Sequence, residues 1–413
     1  MWDTARMAPQ TELHGRTMAR SPLDTIVNTD DLEQAARRYL PRMLYDWIAG
    51  GAGDERGLSD NWSAFDRFRF MPRYLRDVAT CSISKNVLGR SFKGPLGIAP
   101  MGYSGLFRPQ AELFFAETAK RFDVPYIMSG VSVSSMEAAA QIAGENLWYQ
   151  IYTTADDTIN RDMIRRAEAC GCGALVMTVD IPVAAKRERD IRNDIDIPPK
   201  FTPKAILDGL LHPAWTLRYL LAGGLPVMEN WAPYLPKGAS GLEVAKFSIE
   251  HGYALQTWDH LRQFRQLWPR ALVIKGILHP EDARLAREAG ADAIIVSNHG
   301  GRQFDRAVNS IDCLPAIRKT VGADFPVMFD GGVRRGSDLL TLLCCGVDYV
   351  FAGRPFLYGA AGFGQGGVHR VMEIFNDELA GLMRQLGCLD LERADLETFM
   401  IDHPGTLSAG RMR

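Results

Sequence analysis

Short apolar runs recur along this chain from about residue 95 onward, each followed by a polar or glycine-rich cluster. They fall at Leu96–Ala99, Tyr126–Ser129, Leu147–Tyr152, Ala174–Val179, Leu272–Lys275, Ala293–Ser297, Pro326–Phe329 and Asp348–Ala352. Runs this short and this apolar read as strands buried on both faces. Between most of them lie stretches with apolar residues three and four apart, at Ala111–Arg121, Ser135–Ile142, Ile159–Ala169, Pro280–Ala289 and Leu314–Val321. That spacing predicts amphipathic helices. Eight strands, each able to carry a helix, close most simply into a (β/α)8 TIM barrel of the α/β class. The alternative is an open doubly wound sheet. Its dinucleotide fingerprint, G-x-G-x-x-G after the first strand, is missing.

Two regions depart from the rhythm. Before the first strand, the pattern predicts an N-terminal helical segment. Asp30 with Glu33 reads as a capping pair ahead of Leu32, Ala35, Ala36 and Leu40, and Pro41 restarts a short helix that Gly50-Gly51 ends. Residues 1–25 mix Arg, Pro, Thr and Ser without an apolar core of signal-peptide length, and read as a disordered tail ahead of one domain over residues 26–413. The fourth and fifth strands are about 90 residues apart, too many for one connection. The excess, 197–246, is a long insertion after strand 4. It begins at Ile197 and Pro198-Pro199, and its Ala205–Leu221 stretch is apolar and aromatic. A lid packed on the barrel and a contact with a membrane surface both fit it, with Lys204 and Arg218 facing headgroups in the second case.

Composition narrows the class. The chain has 413 residues, 46% hydrophobic and 23% charged, enough for a sizeable core. A formal net charge of -2 argues against a nucleic-acid partner. The odd number of cysteines, seven, suggests reduced thiols rather than a disulfide framework. Cys170 and Cys172 have no second pair at zinc-ligand spacing, so no metal site is expected. No run is long enough to span a membrane. The expected location is cytoplasmic, with peripheral contact to the inner face of the cytoplasmic membrane left open.

The predicted strand ends carry the chemistry, as the rim of such a barrel should. The first is followed by Pro100, Met101 and Gly102, where a small residue permits close approach of a flat ligand. The second ends in Ser129. Gln150 and Tyr152, then Thr178 and Asp180, are spaced two apart and share one strand face. Arg187 follows, and the fifth strand ends in Lys275. The sixth runs into Ser297-Asn298-His299-Gly300-Gly301-Arg302-Gln303. That imidazole can accept a proton near neutral pH, and the guanidinium three residues on can grip a carboxylate through two hydrogen bonds. The seventh and eighth end in Asp330-Gly331-Gly332-Val333-Arg334-Arg335-Gly336 and Gly353-Arg354-Pro355, turns suited to a phosphate monoester. Each residue alone has a structural explanation, as a strand cap, a turn former or a solvated charge. Their convergence at one rim favours a site.

The S-N-H-G-G-R-Q and D-G-G-V-R-R-G segments resemble those of the FMN-dependent 2-hydroxy acid dehydrogenases and oxidases, over about Leu32 to Cys388. The resemblance implies His299 as active-site base, Asp180 as the carboxylate supporting its imidazolium, and Tyr152 as a phenol bonded to the substrate oxygen. Arg302 and Arg187 would hold the substrate carboxylate. Ser129, Gln150 and Thr178 would bond the isoalloxazine edge, and Lys275 would lie beside its N1 and C2 carbonyl. Asp330 would bind the ribityl chain. Gly332, Arg334, Gly353 and Arg354 would hold the phosphate, and Pro100, Met101, Gly102, Ser297 and Gly331 complete the cofactor set. The family's Y-D-Y segment is Tyr45-Asp46-Trp47 here, so an indole replaces a phenol that touches substrate. Family dehydrogenases carry glycine at the position of Gly102 and oxidases carry alanine.

These residues predict FMN-dependent oxidation of a lactate- or mandelate-like L-2-hydroxy acid to the 2-oxo acid, with electrons passed to a quinone or another acceptor. The closest rival is a soluble oxidase that uses O2 and releases H2O2. A flavin-free barrel acting on a phosphorylated substrate, and a degenerate barrel kept as a binding module, are more distant. The resemblance also implies a homo-oligomer, a tetramer.

Overall fold

The computed structural model describes residues 21–195, 202–252, 255–391 and 400–402. Eight parallel strands close into a barrel: β1 Leu96–Ile98, β2 Tyr126–Met128, β3 Leu147–Ile151, β4 Ala174–Thr178, β5 Ala271–Ile277, β6 Ala293–Val296, β7 Val327–Asp330 and β8 Tyr349–Ala352. Each pairs with the next, and β8 returns to β1 through Val350 opposite Leu96. These are the eight runs read from the sequence.

Alternation along the strands sorts the core into two shells. Outward residues such as Leu147, Tyr149, Leu272, Ile274 and Ile294 pack beneath the surrounding helices. Inward residues Ile127, Trp148, Ala174, Val176, Val273, Ala293, Ile295, Met328, Tyr349 and Phe351 form a separate interior cluster. An antiparallel hairpin, Lys85–Val87 with Arg90–Phe92, adds Val87 and Phe92 to that cluster and so plugs one end. The interior rings are in edge and tilted contact, with Trp148–Phe351 centroids 5.6 Å apart and Tyr349–Phe351 5.5 Å. The barrel interior is therefore solid below its opposite rim.

The N-terminal segment is helical as expected, but its cap is different. The helix Thr29–Tyr39 is capped by Asn28, whose side chain accepts from the Asp31 N–H. Asp30 lies inside the first turn, and Glu33 is turned to other partners described below. Helices Arg42–Ala49 and Arg56–Ser63 follow and cover the open rim. Residues 1–20 of the anticipated tail lie outside the described residues, and Pro22–Thr25 forms a 3-10 turn capped by Ser21.

Ile197 and Pro198-Pro199 also lie outside the described residues. In the described part of the insertion, Ala205–Leu221 lies in two helices rather than one, and 222–240 is irregular apart from a 3-10 turn at Ala232–Tyr234. Pro203–Leu211 and Pro213–Leu221 meet at His212, which has φ -120° and ψ 63°. Pro213 lacks an N–H and excludes its predecessor from helical geometry, which breaks the run there. The reading's boundary at Lys246 cuts a single helix, Gly241–His251. The inner side of the helical pair is fastened to the barrel. The Met43 N–H donates to Asp208 at 3.0 Å, and the buried Trp215 indole donates to the Leu106 carbonyl at 3.0 Å. The outer side leaves Ile206, Leu207, Leu210, Leu211, Leu217, Leu220 and Leu221 each more than half exposed. Both basic residues are exposed to solvent and also touch the protein. Lys204 donates to the Arg192 carbonyl, and Arg218 stacks 5.6 Å from the Tyr39 ring centroid. No helix among the described residues is long and apolar enough to cross a membrane.

The interior packing gives a first test. Trp148→Ala should lower stability by about 3–5 kcal/mol, the usual cost of emptying a large aromatic site in a packed core. Urea unfolding followed by tryptophan-independent far-UV circular dichroism would measure it, and an unchanged midpoint would mean that the interior is not filled as described.

Candidate active site

The inward row of each strand changes character at the rim. Below, it is apolar. Above, Trp148 gives way to Gln150, Val176 to Thr178 and then Asp180, Val273 to Lys275, Ile295 to Ser297, and Met328 to Asp330. Period-two alternation thus delivers the predicted polar residues to one floor. Above that floor lies a cavity lined by Trp47, Trp62, Pro100, Met101, Gly102, Tyr103, Phe107, Val131, Tyr152, Ile181, Arg187, Lys275, His299, Arg302, Asp330–Arg334, Gly353 and Arg354. Ser129, Gln150, Thr178, Asp180 and Ser297 lie behind this lining, four of them nearly fully buried.

His299 stands on a turn held from both sides. It adopts φ 57°, a left-handed conformation uncommon for a residue with a side chain. Asn298 and Asn61, 237 positions apart, exchange two amide hydrogen bonds of 2.8 Å, and the Asn298 carbonyl oxygen also accepts from the Gly301 N–H. The Ser297 hydroxyl accepts from the His299 N–H at 3.0 Å. His299 Nδ1 donates to Asp180 Oδ1 at 2.9 Å, leaving Nε2 as the nitrogen able to take a proton. Burial lowers the His299 pKa, and Lys275 and Arg187 act in the same direction against the opposing pull of Asp180. The ring is therefore neutral, and able to act as a base, at neutral pH.

Lys275 is 3% exposed. Burial disfavours its charge, but Asp330 at 3.0 Å and the nearby Asp180 outweigh that and raise its pKa. Its ammonium also donates to Ser297 Oγ at 2.9 Å. Burial likewise opposes ionisation of Asp180, and His299 and Lys275 together keep its pKa low. The floor thus holds charged Lys275 beside ionised Asp180.

The other side of the cavity has excess positive charge. Burial first, then the neighbouring Arg187 and Arg354, push the Arg302 pKa well below its usual value, and Asp190 opposes them. Arg302 Nη1 donates to the carbonyls of Trp47 at 2.6 Å and Gly50 at 2.8 Å. Arg187 donates to the Arg302 carbonyl and to Gln303 Oε1. Two cationic forks held in place by backbone suit a carboxylate. Arg354 has a task that sequence did not suggest. Its guanidinium donates to Ile48, Gly50 and Gly300 carbonyls at 2.9 Å each, so it caps the end of the Arg42–Ala49 helix.

The glycine-rich turn after β7 is built for close approach. Gly332 has φ 77°, and a Cβ there would lie 2.1 Å from the Asn61 carbonyl. Arg334 lies over the Trp62 and Tyr358 rings, and its buried Nη1 has no hydrogen-bond partner. Glu33 is 3.6 Å from it and also accepts from the Tyr45 and Tyr358 hydroxyls. Across the floor, Gln150 Oε1 accepts from Ser129 Oγ and the Gly130 N–H, which fixes the amide and leaves Nε2 as a donor without a partner. Thr178 Oγ1 is similarly buried and unpartnered. Buried polar atoms are normally paired, so this row calls for a polar ligand edge. A donor amide, a hydroxyl and an ammonium in line, ending at a glycine–arginine turn, fit the isoalloxazine, ribityl and phosphate parts of FMN.

Sequence reasoning missed Asn61, Trp62, Phe107, Val131, Ile181 and the role of Glu33. Asn298 stood within the quoted motif, but its partner is far away in sequence. Val131 matters because a Cβ on residue 102 would lie 2.6 Å from its Cγ2. An alanine at position 102 would therefore crowd Val131, whereas Gly102 leaves its backbone bare on the cavity wall.

A closed barrel whose rim gathers an imidazole–carboxylate pair, two buried guanidinium groups and a row of unpartnered polar atoms is the architecture of a flavin-dependent oxidoreductase acting on CH–OH. The chain belongs to the FMN-dependent dehydrogenase family, whose model matches residues 36–400. It is 36% identical over 367 residues to (S)-mandelate dehydrogenase of Pseudomonas putida, covering 89% of this chain and 92% of that protein. It is 38% identical over 373 residues to an L-lactate oxidase of a Nostoc species, covering 89% and 96%. A crystal structure of the monotopic membrane protein (S)-mandelate dehydrogenase superposes with TM-score 0.87 at 35% identity, covering 92% of this chain and all of that one. The chain therefore catalyses FMN-dependent oxidation of a 2-hydroxy acid.

Two substitutions test the assigned residues. His299→Gln should leave FMN bound and slow anaerobic reduction by substrate about 10²–10⁴-fold, the scale of a lost general base. Near-parental reduction in stopped flow would remove His299 from the reaction. Arg302→Lys keeps the charge but loses the fork, and should weaken binding of a 2-oxo acid product by about tenfold or more, the scale of one charge-assisted hydrogen bond. Unchanged product affinity by flavin difference titration would place carboxylate recognition elsewhere.

Proposed function

We propose that this protein is a membrane-associated dehydrogenase that oxidises an L-2-hydroxy acid with a bulky apolar side chain and passes the electrons to a quinone. The observation that carries this reading is the oriented His299–Asp180 pair opposite the Arg302 and Arg187 guanidinium groups. One substrate can engage both at once, hydroxyl to the imidazole and carboxylate to the arginines. Ser129, Gln150, Thr178, Lys275 and Asp330 would hold the flavin and ribityl of FMN, and the Gly331–Arg334 and Gly353 turns its phosphate. Bound there, FMN supplies the two-electron acceptor for the hydride. His299 Nε2 takes the hydroxyl proton, and Asp180 steadies the imidazolium that results. Tyr152, on the cavity wall, would bond the substrate oxygen.

The substrate's side chain is inferred from the wall. Trp47 meets Phe107 edge-on at 5.6 Å and Tyr103 at 6.2 Å, with Val131 and Ile181 beside them. An indole there adds apolar surface where the family places a phenol, which favours an aromatic or large aliphatic group over a methyl.

The choice of acceptor rests on Gly102 and on the outer face of the insertion. Relatives include both a dehydrogenase and an oxidase, so similarity alone does not decide it. The exposed leucines lie on helices whose other side is fastened to Met43 and Leu106, on the segments that carry the wall residues Trp47 and Phe107. Lys204 and Arg218 are exposed on the same two helices, so headgroup charge would add to apolar burial.

Anaerobic flavin bleaching with a panel of L-2-hydroxy acids, followed by reoxidation with O2 or a soluble quinone, tests the reaction. Aromatic acids should bleach fastest, and quinone should outpace O2. Replacing Leu210, Leu217 and Leu221 together with Gln should cut partition onto neutral phosphatidylcholine vesicles more than about 100-fold, given about 1.5–3 kcal/mol per buried leucine. Flavin reduction should be unaffected. Rapid reoxidation by O2, with no vesicle binding by the parent, would instead establish a soluble oxidase with a lid.

A further inference from the structure

Asp180 has a single hydrogen bond to its carboxylate. Oδ1 accepts from His299, and the buried Oδ2 has no partner. Something other than hydrogen bonding must therefore hold this group in line with the imidazole. The neighbouring strand supplies it. The Val179 N–H donates to the Lys275 carbonyl at 2.9 Å, which locks β4 to β5 one residue below Asp180. Beyond that bond, β5 is irregular. Lys275 pairs with Ile295 and Ile277 with Val296, so Gly276 is an extra residue in the ladder. Its φ is 104°, a conformation that strains any side chain. A Cβ on Gly276 would lie 2.6 Å from Asp180 Cβ, 2.7 Å from its Cγ and 3.0 Å from its backbone nitrogen. The aspartate is packed directly on the bare backbone of the bulge.

We infer that Gly276 is a positioning residue for the catalytic base: its β-bulge leaves the volume in which Asp180 sits, and that packing sets the Asp180–His299 contact. The same bulge ends the inward row of β5 at Lys275, whose ammonium is the other charge facing Asp180. One extra glycine in a strand thus seats both members of the charge pair beneath the imidazole. The inference rests on Asp180 and His299 acting as the base pair, and the experiment separates the two.

The test uses the full-length, FMN-loaded protein with Gly276→Ala, Asp180→Asn and the double variant. Gly276→Ala should retain FMN and slow anaerobic reduction by substrate about 100-fold, the scale of a misplacement of about 1 Å. Asp180, Lys275 and Arg187 are the charges that face His299, and only Asp180 favours its protonated form. Displacing that carboxylate lowers the His299 pKa, so the acid limb of the reduction rate should move to lower pH. In the Asp180→Asn background the glycine substitution should cost less than about twofold more, because its effect passes through the carboxylate. Losses that multiply, or an acid limb at the parental pH, would overturn the inference. If Asp180→Asn is itself harmless, the base assignment fails, and the packing contact is then judged by stability. Asp180→Gly combined with Gly276→Ala frees the crowded volume, and should recover thermal stability and FMN retention lost in Gly276→Ala alone. No recovery would mean that the loss comes from backbone strain at residue 276 rather than from contact with Asp180, and would overturn the packing contact.

Discussion

A buried ammonium organises the reactive face of this barrel. Lys275 is nearly inaccessible to water, and an isolated charge there would be strongly disfavoured. It persists because Asp330 approaches from β7, Ser297 from the end of β6 and Asp180 from beyond β4. Two of these groups have a second commitment. Ser297 accepts from the His299 backbone, and Asp180 holds the His299 ring. The imidazole is thus tied to the lysine through two routes, one backbone and one side chain. Removing one partner from such a group is costly because it strands the remainder in a medium that solvates poorly.

The opposite wall is organised by backbone carbonyls. The last turn of the Arg42–Ala49 helix has no further helix to satisfy its acceptors. Arg302, from the turn after β6, and Arg354, from the turn after β8, both donate to the Gly50 carbonyl, and between them they also reach Trp47, Ile48 and Gly300. A helix end is a region of partial negative charge, so two guanidinium groups are well placed there. That arrangement fixes their planes before any anion arrives, which is the preorganisation that carboxylate recognition needs.

The parts of this molecule legible in its sequence are those with a local period or a compact motif. The eight strands showed as apolar runs, and the polar floor followed from residues two apart, as with Gln150 and Tyr152 or Thr178 and Asp180. His299 and Arg302 showed because they stand three apart beside glycines. What stayed hidden has no local signature. Asn61 and Asn298 pair across 237 positions. Glu33 reads as a cap partner for Asp30, yet it joins Tyr45 on the next helix and Tyr358 and Arg334, which only the closed barrel brings near. The Gly276 bulge looks in sequence like any glycine at the end of a strand. The break at His212 was available from Pro213, but the apolar pattern continues across it and conceals the change of direction.

The shared Gly50 carbonyl has a consequence for how such proteins can be altered. Barrel enzymes are usually treated as modular, with loops exchanged at the rim while the scaffold stays constant. Here the two arginines come from the sixth and eighth strand ends, whereas the acceptor comes from a helix that precedes the barrel. A graft of the segment around Arg42–Ala49 from a relative would arrive carrying half of two contacts. The unit of exchange on this face is therefore the helix together with both arginine loops, and a chimera that divides them inherits mismatched halves of one structure.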